Sequence, residues 1–191
     1  MIDYFALINK YYQPGTTLYK LYVVHVCMVA NKALEIARRL QLSLEEQILI
    51  EEGAMLHDIG ICQTNVPAIG CHGPDPYIRH GLDGAAMLRQ EGLEAQARIA
   101  ERHLGVGLTR DYIVSRQLPL PAQDFIPQTL PEQIVTYADT FYSKYEQRLW
   151  IPDSPATIKA ELGEYGPQQV QVFERWQAQF EPAQQKDDYD Q

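Results

Sequence analysis

Apolar residues in the first third of the chain recur at intervals of three and four. Tyr22, Val26, Val29, Ala33, Ile36, Ala37 and Leu40 form one such series, the period of an amphipathic helix with one face in a core. The series ends before Ser43, and Ser43 with Glu46 three residues later is a capping-box pattern. It opens a second helix through Ile48, Ile50 and Ala54 to Leu56, with Gly60 as its stop. From 62 to 76 the periodicity gives way to Asn65, Pro67, Gly70, Gly73, Pro74 and Pro76, the composition of a loop. Two helical periods follow over 77–90 and 93–104, with Gly92 as the break and Gly105-Val106-Gly107 as the stop. Thr109 caps a short helix through Val114, and Pro119, Pro121, Pro127 and Pro131 mark an extended connection. Pro131 suits the first turn of a helix running through Ile134, Val135, Ala138, Phe141 and Leu149. Segments around 158–162 and 170–180 are helical too, with Phe173 and Trp176 on one face. No repeat and no convincing strand interrupts this pattern. The expected fold is all-α: a bundle of five or more core helices over 1–150, a C-terminal helical extension over 151–180, and a disordered acidic tail over 181–191. The extension either packs on the core or forms a subunit contact, so a homo-oligomer stays open.

Composition narrows the class without changing that picture. The 191 residues are 46% hydrophobic, enough for one domain with a substantial core. A net charge of −9 and a pI near 5.0 argue against affinity for duplex nucleic acid, which needs clustered cations. The start carries no secretory signal, and the longest apolar run, 21–30, is too short for a membrane span and contains His25. A soluble cytoplasmic protein is expected, with Cys27, Cys62 and Cys71 reduced. Cys62 with Cys71-His72 fits no usual zinc spacing.

Candidate chemistry starts from the histidines. Four of the five, His25, His57, His80 and His103, fall in predicted helices, and Asp58 follows His57 directly. Asp139 lies in an otherwise apolar stretch, where a buried carboxylate needs a partner. Taken singly, each residue has an ordinary explanation. A histidine on an apolar face is usually a hydrogen-bonded core residue, Asp58 can cap the turn after Gly60, and Asp139 can meet a core arginine or a helix terminus. Taken together, four helical histidines and two carboxylates have the composition of a transition-metal site. Imidazole with carboxylate suits Mn, Fe, Co, Ni or Zn better than Ca or Mg. His57 and Asp58 diverge by about 100° on a regular helix, but neighbouring donors at a helix end can reach one ion or bridge two.

The ordered set His25, then His57-Asp58-Ile59-Gly60, then a distant Asp139 resembles the HD superfamily of metal-dependent phosphohydrolases, over about 19–147. The stretches Glu101-Arg102-His103-Leu104-Gly105-Val106-Gly107-Leu108-Thr109 and Tyr137-Ala138-Asp139 are similar to a small branch of HDIG-motif proteins. The resemblance implies that His25, His57, Asp58 and Asp139 hold one metal ion, and that His80 and His103 hold a second with Asp58 bridging. One or two divalent transition ions are therefore expected. No Gly-Tyr-Pro triplet follows His103, unlike the cyclic-dinucleotide phosphodiesterase branch.

The implied activity is hydrolysis of a phosphate ester by metal-activated water, which Asp58 orients or deprotonates. The substrate expected is a small phosphorylated molecule or a nucleotide. Arg79, Arg102 and Lys144 are candidates for binding its phosphate, and His72 for a leaving-group contact; solvated helix cations and an exposed loop histidine are the ordinary alternatives. Other readings are a phosphodiesterase acting on cyclic or dinucleoside phosphates, a non-catalytic metal- or nucleotide-sensing module, and a di-iron oxygenase of HD type. Peptidase, phosphate-loop and hydrolase-elbow motifs are absent.

Overall fold

The computed structural model describes residues 2–144 and 148–182. Among them are nine α-helices: α1 (Tyr4–Tyr11), α2 (Thr17–Arg39), α3 (Leu44–Leu56), α4 (His80–Gln90), α5 (Glu94–Arg102), α6 (Arg110–Ser115), α7 (Leu130–Asp139), α8 (Pro155–Tyr165) and α9 (Pro167–Phe180). The expected caps start them: Ser43 and Glu46 close a reciprocal capping box on α3, Thr129 and Glu132 do so on α7, and Thr109 caps α6. The apolar stripe of α2 lies against α3 and α7, so that Val26, Val29, Ala33, Ile50, Ala54, Ile134 and Ala138 are buried together. The α4–α5 pair closes the bundle through Ala85, Leu88, Ala97 and Ile99. None of the described helices is long and apolar enough to cross a membrane.

Four features depart from the sequence reading. Gly60 does not stop α3, which ends at Leu56; it lies inside a 3-10 turn, Ile59–Gln63. The loop over 62–76 contains a two-stranded antiparallel ribbon, β1 (Asn65–Val66) with β2 (Cys71–His72), pairing Asn65 with His72 and Val66 with Cys71. It is too short to show a period of two. The third departure is the end of α7, at Asp139 rather than near Leu149. The Thr140 hydroxyl donates to the Tyr137 carbonyl at 2.7 Å, the acceptor that a continuing helix would offer to Phe141. Phe141 N–H bonds to Ala138 instead, and the tightened turn ends the helix. Leu149 then joins a small separate cluster with Leu21, Ile61, Ile69 and Cys71.

The fourth departure concerns the C-terminus. α9 packs on the core, with Phe173 stacked on Tyr137 at 5.2 Å and Trp176 and Phe180 buried. Glu181, expected to begin a disordered tail, accepts from Lys32 at 2.6 Å and from Tyr137 at 2.8 Å. The rest of the expected tail, 183–191, lies outside the described residues. The three cysteines are free thiols.

Candidate metal centre

Five of the six candidate ligands stand at helix ends, where the chain can change direction and aim a side chain inward. His57 is the C-cap of α3, His80 the first residue of α4, His103 the C-cap of α5, Asp139 the last residue of α7, and Asp58 opens the 3-10 turn after His57. His25 projects from the middle of α2 and is fully buried. Ending α3 frees backbone carbonyls. Two tyrosines brace this end: Tyr22 donates to the Met55 carbonyl in the last turn of α3 at 2.9 Å, and Tyr12 reaches the Asp58 and Ile59 carbonyls of the turn beyond it at 3.2 and 2.9 Å. Their buried rings stack at 4.3 Å. Sequence reasoning counted Tyr22 only as an apolar position and passed over Tyr12, because a partner 46 residues away leaves no local pattern.

Two glycines set the spacing. A Cβ on Gly60 would lie 2.2 Å from the His80 carbonyl oxygen and 2.3 Å from the Gly84 nitrogen, so the turn carrying Asp58 rests directly on the backbone of α4. A Cβ on Gly81 would lie 2.6 Å from the Ala100 carbonyl, so α4 begins close enough to α5 for the His80 and His103 rings to face each other at 5.0 Å.

Three of the histidines are oriented by one device. Nδ1 of His57, His80 and His103 lies 2.7, 2.6 and 2.7 Å from the carbonyl three residues earlier, of Ala54, Tyr77 and Ala100. A carbonyl only accepts, so Nδ1 carries the proton and, in the neutral ring, Nε2 keeps its lone pair. All three Nε2 atoms point to the centre, the orientation that metal-binding histidines take from their outer hydrogen bonds. His80 and His103 bring theirs within 3.0 Å of each other, a repulsive pairing of lone pairs unless a positive charge joins them.

Asp58 stands between two groups of such atoms. Its Oδ2 faces His25 Nε2 at 3.1 Å and His57 Nε2 at 3.3 Å, while its Oδ1 faces His80 Nε2 at 3.2 Å and His103 Nε2 at 3.4 Å. Asp139 Oδ1 completes the first group, 2.9 Å from His25 and 3.3 Å from His57. Ligand atoms of His25, His57, Asp58 and Asp139 all lie within 4.8 Å of one another, as do those of Asp58, His80 and His103. Both Asp58 oxygens, Asp139 Oδ1 and Nε2 of His25 and His57 are buried without a well-aligned hydrogen bond. A protein rarely leaves so many polar atoms unsatisfied in one place. The donor set fits divalent transition ions, and no described cysteine belongs to either group.

The electrostatics agree with a site built for cations. Burial would raise the Asp58 carboxyl, but His57 and Lys144 hold it well below the usual range; at Asp139, Lys144 and His57 likewise outweigh burial. Burial alone would lower His57, yet the two carboxylates push it up to about 10. Burial prevails at His103, driving it down to about 4. Two anions are thus balanced by an imidazolium and the Lys144 ammonium, and a dication held by these residues would take over the role of the His57 proton.

The sequence model of the HD domain family matches residues 22–143, from α2 to just beyond α7. The chain belongs to the HD domain family. It is also 35% identical over 148 residues to an uncharacterised protein of Methanocaldococcus jannaschii, covering 76% of this chain and 79% of that one. A tRNA (cytidine(56)-2'-O)-methyltransferase of Picrophilus torridus is 36% identical over 96 residues, 50% of this chain and only 24% of that protein. In the corresponding enzyme of Thermoplasma volcanium, 32% identity over 120 residues spans 62% of this chain and 31% of that one. Among solved structures, the HD domain of the L. monocytogenes phosphodiesterase PgpH superposes with a TM-score of 0.50 at 19% identity, covering 84% of this chain and 94% of that one, a likeness of fold.

Around the centre of this HD domain, the remaining candidate residues divide. Lys144 comes in, its Nζ 2.8 Å from Asp58 Oδ2 and 3.9 Å from Asp139 Oδ1. It does so from beyond the end of α7, not from the same helix as Asp139. Arg79 pairs with Asp83 at 3.0 Å and Asp75 at 3.6 Å and donates to the Pro119 carbonyl at 3.2 Å. Arg102 pairs with the buried Glu132 at 3.0 Å, and His72 is exposed on β2. A cavity of about 310 Å³ opens on His80, His103, Asp139 and Lys144; Arg79, Arg102 and His72 are not in its wall. Beside His25 and Asp58 the free space is only about 10 Å³, so that end of the first group is enclosed, while Asp139 and the histidines of the second group face the cavity.

Proposed function

We propose that this HD domain hydrolyses a phosphate ester of a small molecule or nucleotide, with His25, His57, Asp58 and Asp139 holding one divalent transition ion and Asp58, His80 and His103 holding a second. The observation that carries the proposal is the division of Asp58, one oxygen toward each group of histidines. Bound there, such ions supply Lewis-acid polarisation of a phosphoryl oxygen and acidify the attacking water. The chain's own residues do the rest. Asp58 orients the attacking water toward phosphorus and accepts its proton. Lys144, beside Asp58 and in the wall of the cavity, neutralises a phosphoryl oxygen. Tyr12 and Tyr22 fix the backbone on either side of His57-Asp58, and the enclosed histidines exclude bulk water from the first group. Arg79, Arg102 and His72 have no part in this reading, because the first two are committed to carboxylates and none lines the cavity.

Elemental analysis and phosphate release test the proposal together. Protein purified without chelator is expected to carry more than about half an equivalent of a transition metal, and two equivalents when both groups fill. With Mn or another divalent ion it should release phosphate from some member of a panel of nucleotides and phosphomonoesters, and Asp58→Ala should abolish the release. Turnover that survives Asp58→Ala overturns the mechanism. Nucleotide binding without turnover points to a sensing module, and product formation that requires oxygen and reductant points to oxidative chemistry.

A further inference from the structure

The cavity of about 310 Å³ is two-faced. Its inner end holds His80, His103, Asp139 and Lys144, while the remaining wall is mostly carbon, with Ile78, Leu104, Leu108 and Leu118 and the rings of Tyr112 and Tyr165. That wall is held in shape. Leu104 and Leu108 are buried with Ile113 and Phe125 in a cluster of their own, and Leu108 exchanges both backbone hydrogen bonds with Phe125, at 3.0 and 2.8 Å. The cavity therefore does not depend on a loop folding over a ligand.

Charge and size restrict what fits. Lys144 is the one cation among the lining residues; Arg79 and Arg102, the other candidates nearby, are paired with Asp83, Asp75 and Glu132. A phosphoryl group at the inner end meets Lys144 and the proposed ions. A second or third phosphate reaching outward would meet leucines, and an unpaired charge against such a wall is costly. The volume lies at the lower end of ligand cavities, about 300–1,000 Å³, which suits one ring system and not two. Tyr165 is 56% exposed although it is a large aromatic at the cavity, and it and Gln169 belong to α8 and α9, beyond the span that matches the HD family.

We infer that the substrate carries a single phosphoryl group on one aromatic or apolar group of about nucleobase size, which lies on the carbon wall with Tyr112 and Tyr165 as specificity-determining residues. The inference rests on the phosphate-ester reading of the metal centre. It also gives the C-terminal helices a role in selecting substrate.

The test uses the full chain loaded with Mn. Hydrolysis of 2-(1-naphthyl)ethyl phosphate, whose leaving group is an alcohol like that of glycerol 3-phosphate, is compared with that of glycerol 3-phosphate, and adenosine 5'-monophosphate with the 5'-triphosphate, the ion being in excess over nucleotide. The aromatic ester should be favoured by about tenfold or more in kcat/KM, the scale of one aromatic stack, and the monophosphate should be favoured over the triphosphate. Replacing both rings, Tyr112→Ala with Tyr165→Ala, should raise KM for the aromatic ester until the preference falls below about threefold, with a smaller change for glycerol 3-phosphate. Equal rates for the two esters, a preference for triphosphate, or a double variant that slows both esters equally would overturn the inference while leaving the hydrolase reading standing. If no probe is hydrolysed, that reading fails, and calorimetric binding decides the cavity. Naphthylethyl phosphate binding at least about tenfold tighter than glycerol 3-phosphate supports it, and equal binding overturns it.

Discussion

Two pairs of carboxylates, all buried except the partly exposed Asp139, differ in what surrounds them. Glu52 on α3 and Glu132 at the start of α7 are met by fixed donors. Glu52 accepts from Ile2 N–H and Gln96 Nε2, each at 2.8 Å, and Glu132 accepts from Gln128 N–H at 2.7 Å and Arg102 at 3.0 Å. Asp58 and Asp139 are met mainly by imidazole nitrogens, of rings whose outer hydrogens are committed in His57, His80 and His103, and by Lys144. Glu132 and Asp58 are 1% and 0% exposed, so burial does not distinguish them. The difference is in the partners. Donors fixed within the chain make a strut, even where one oxygen, Glu132 Oε1, has only the Arg98 ion pair at 3.4 Å, whereas lone pairs converging on a carboxylate leave room for a cation.

The largest test of that contrast substitutes one carboxylate from each pair. Asp58→Asn should lower phosphate release by more than about a thousandfold and remove bound metal, at a smaller cost in apo-protein stability than the loss of Glu132, because His57 and Lys144 keep Asp139 as a partner. Glu132→Ala should do the reverse, costing about 3–5 kcal/mol in urea unfolding by stranding Arg102 and opening the α7 cap, with metal stoichiometry unchanged. A Glu132 variant that loses its metal would break the contrast. The next effect is smaller. Chelator-treated protein given a divalent ion at about a hundred times its Kd should gain about 2.7 kcal/mol, seen as a higher melting temperature, and Asp58→Asn should gain almost nothing.

The strut side and the centre also meet at Tyr12, which supports the turn without facing an ion. Tyr12→Phe should cost about 1 kcal/mol of stability and lower turnover less than any ligand substitution. The smallest effect lies farthest from the centre, at Tyr4. Its hydroxyl donates to Glu51, and that bond, with burial and the charge of Glu51, raises it from 10.0 to about 12. The unfolded chain releases this proton first, so the bond's contribution is complete below about pH 10 and is lost as the pH rises toward about 12. Unfolding measured across that window should show a shallower decline in Tyr4→Phe.

Much of this was legible in the chain because helix ends are written locally. Ser43 with Glu46, Thr109, Gly92 and Pro131 mark boundaries by short-range hydrogen bonding or backbone preference, and three of the histidines sit at the opposite ends of the helices that Ser43 and Gly92 bound. The HD resemblance follows the order of residues from His25 to Asp139, which is readable along the chain without any contact. What escaped was non-local or turned on a single bond. Phe141 and Leu149 continue the period of α7, and only the Thr140 hydroxyl shows why the helix stops. Arg79 and Arg102 read as free cations because their partners, Asp75, Asp83 and Glu132, become neighbours by folding, even though Asp75 and Asp83 are each four residues from Arg79. Gly60 read as a stop signal, but its missing side chain is used against a helix that begins 20 residues later.

That contact makes the interval between the two halves of the centre a main-chain dimension. Because Gly60 and Gly84 touch through their backbones, the reach from His57-Asp58 to His80 is gauged by peptide against peptide, as in a rule with no adjustable screw. Substitutions elsewhere in the bundle can loosen or tighten side chains without resetting it. One added methyl at Gly60 would pry the two halves apart while every ligand stayed in the chain.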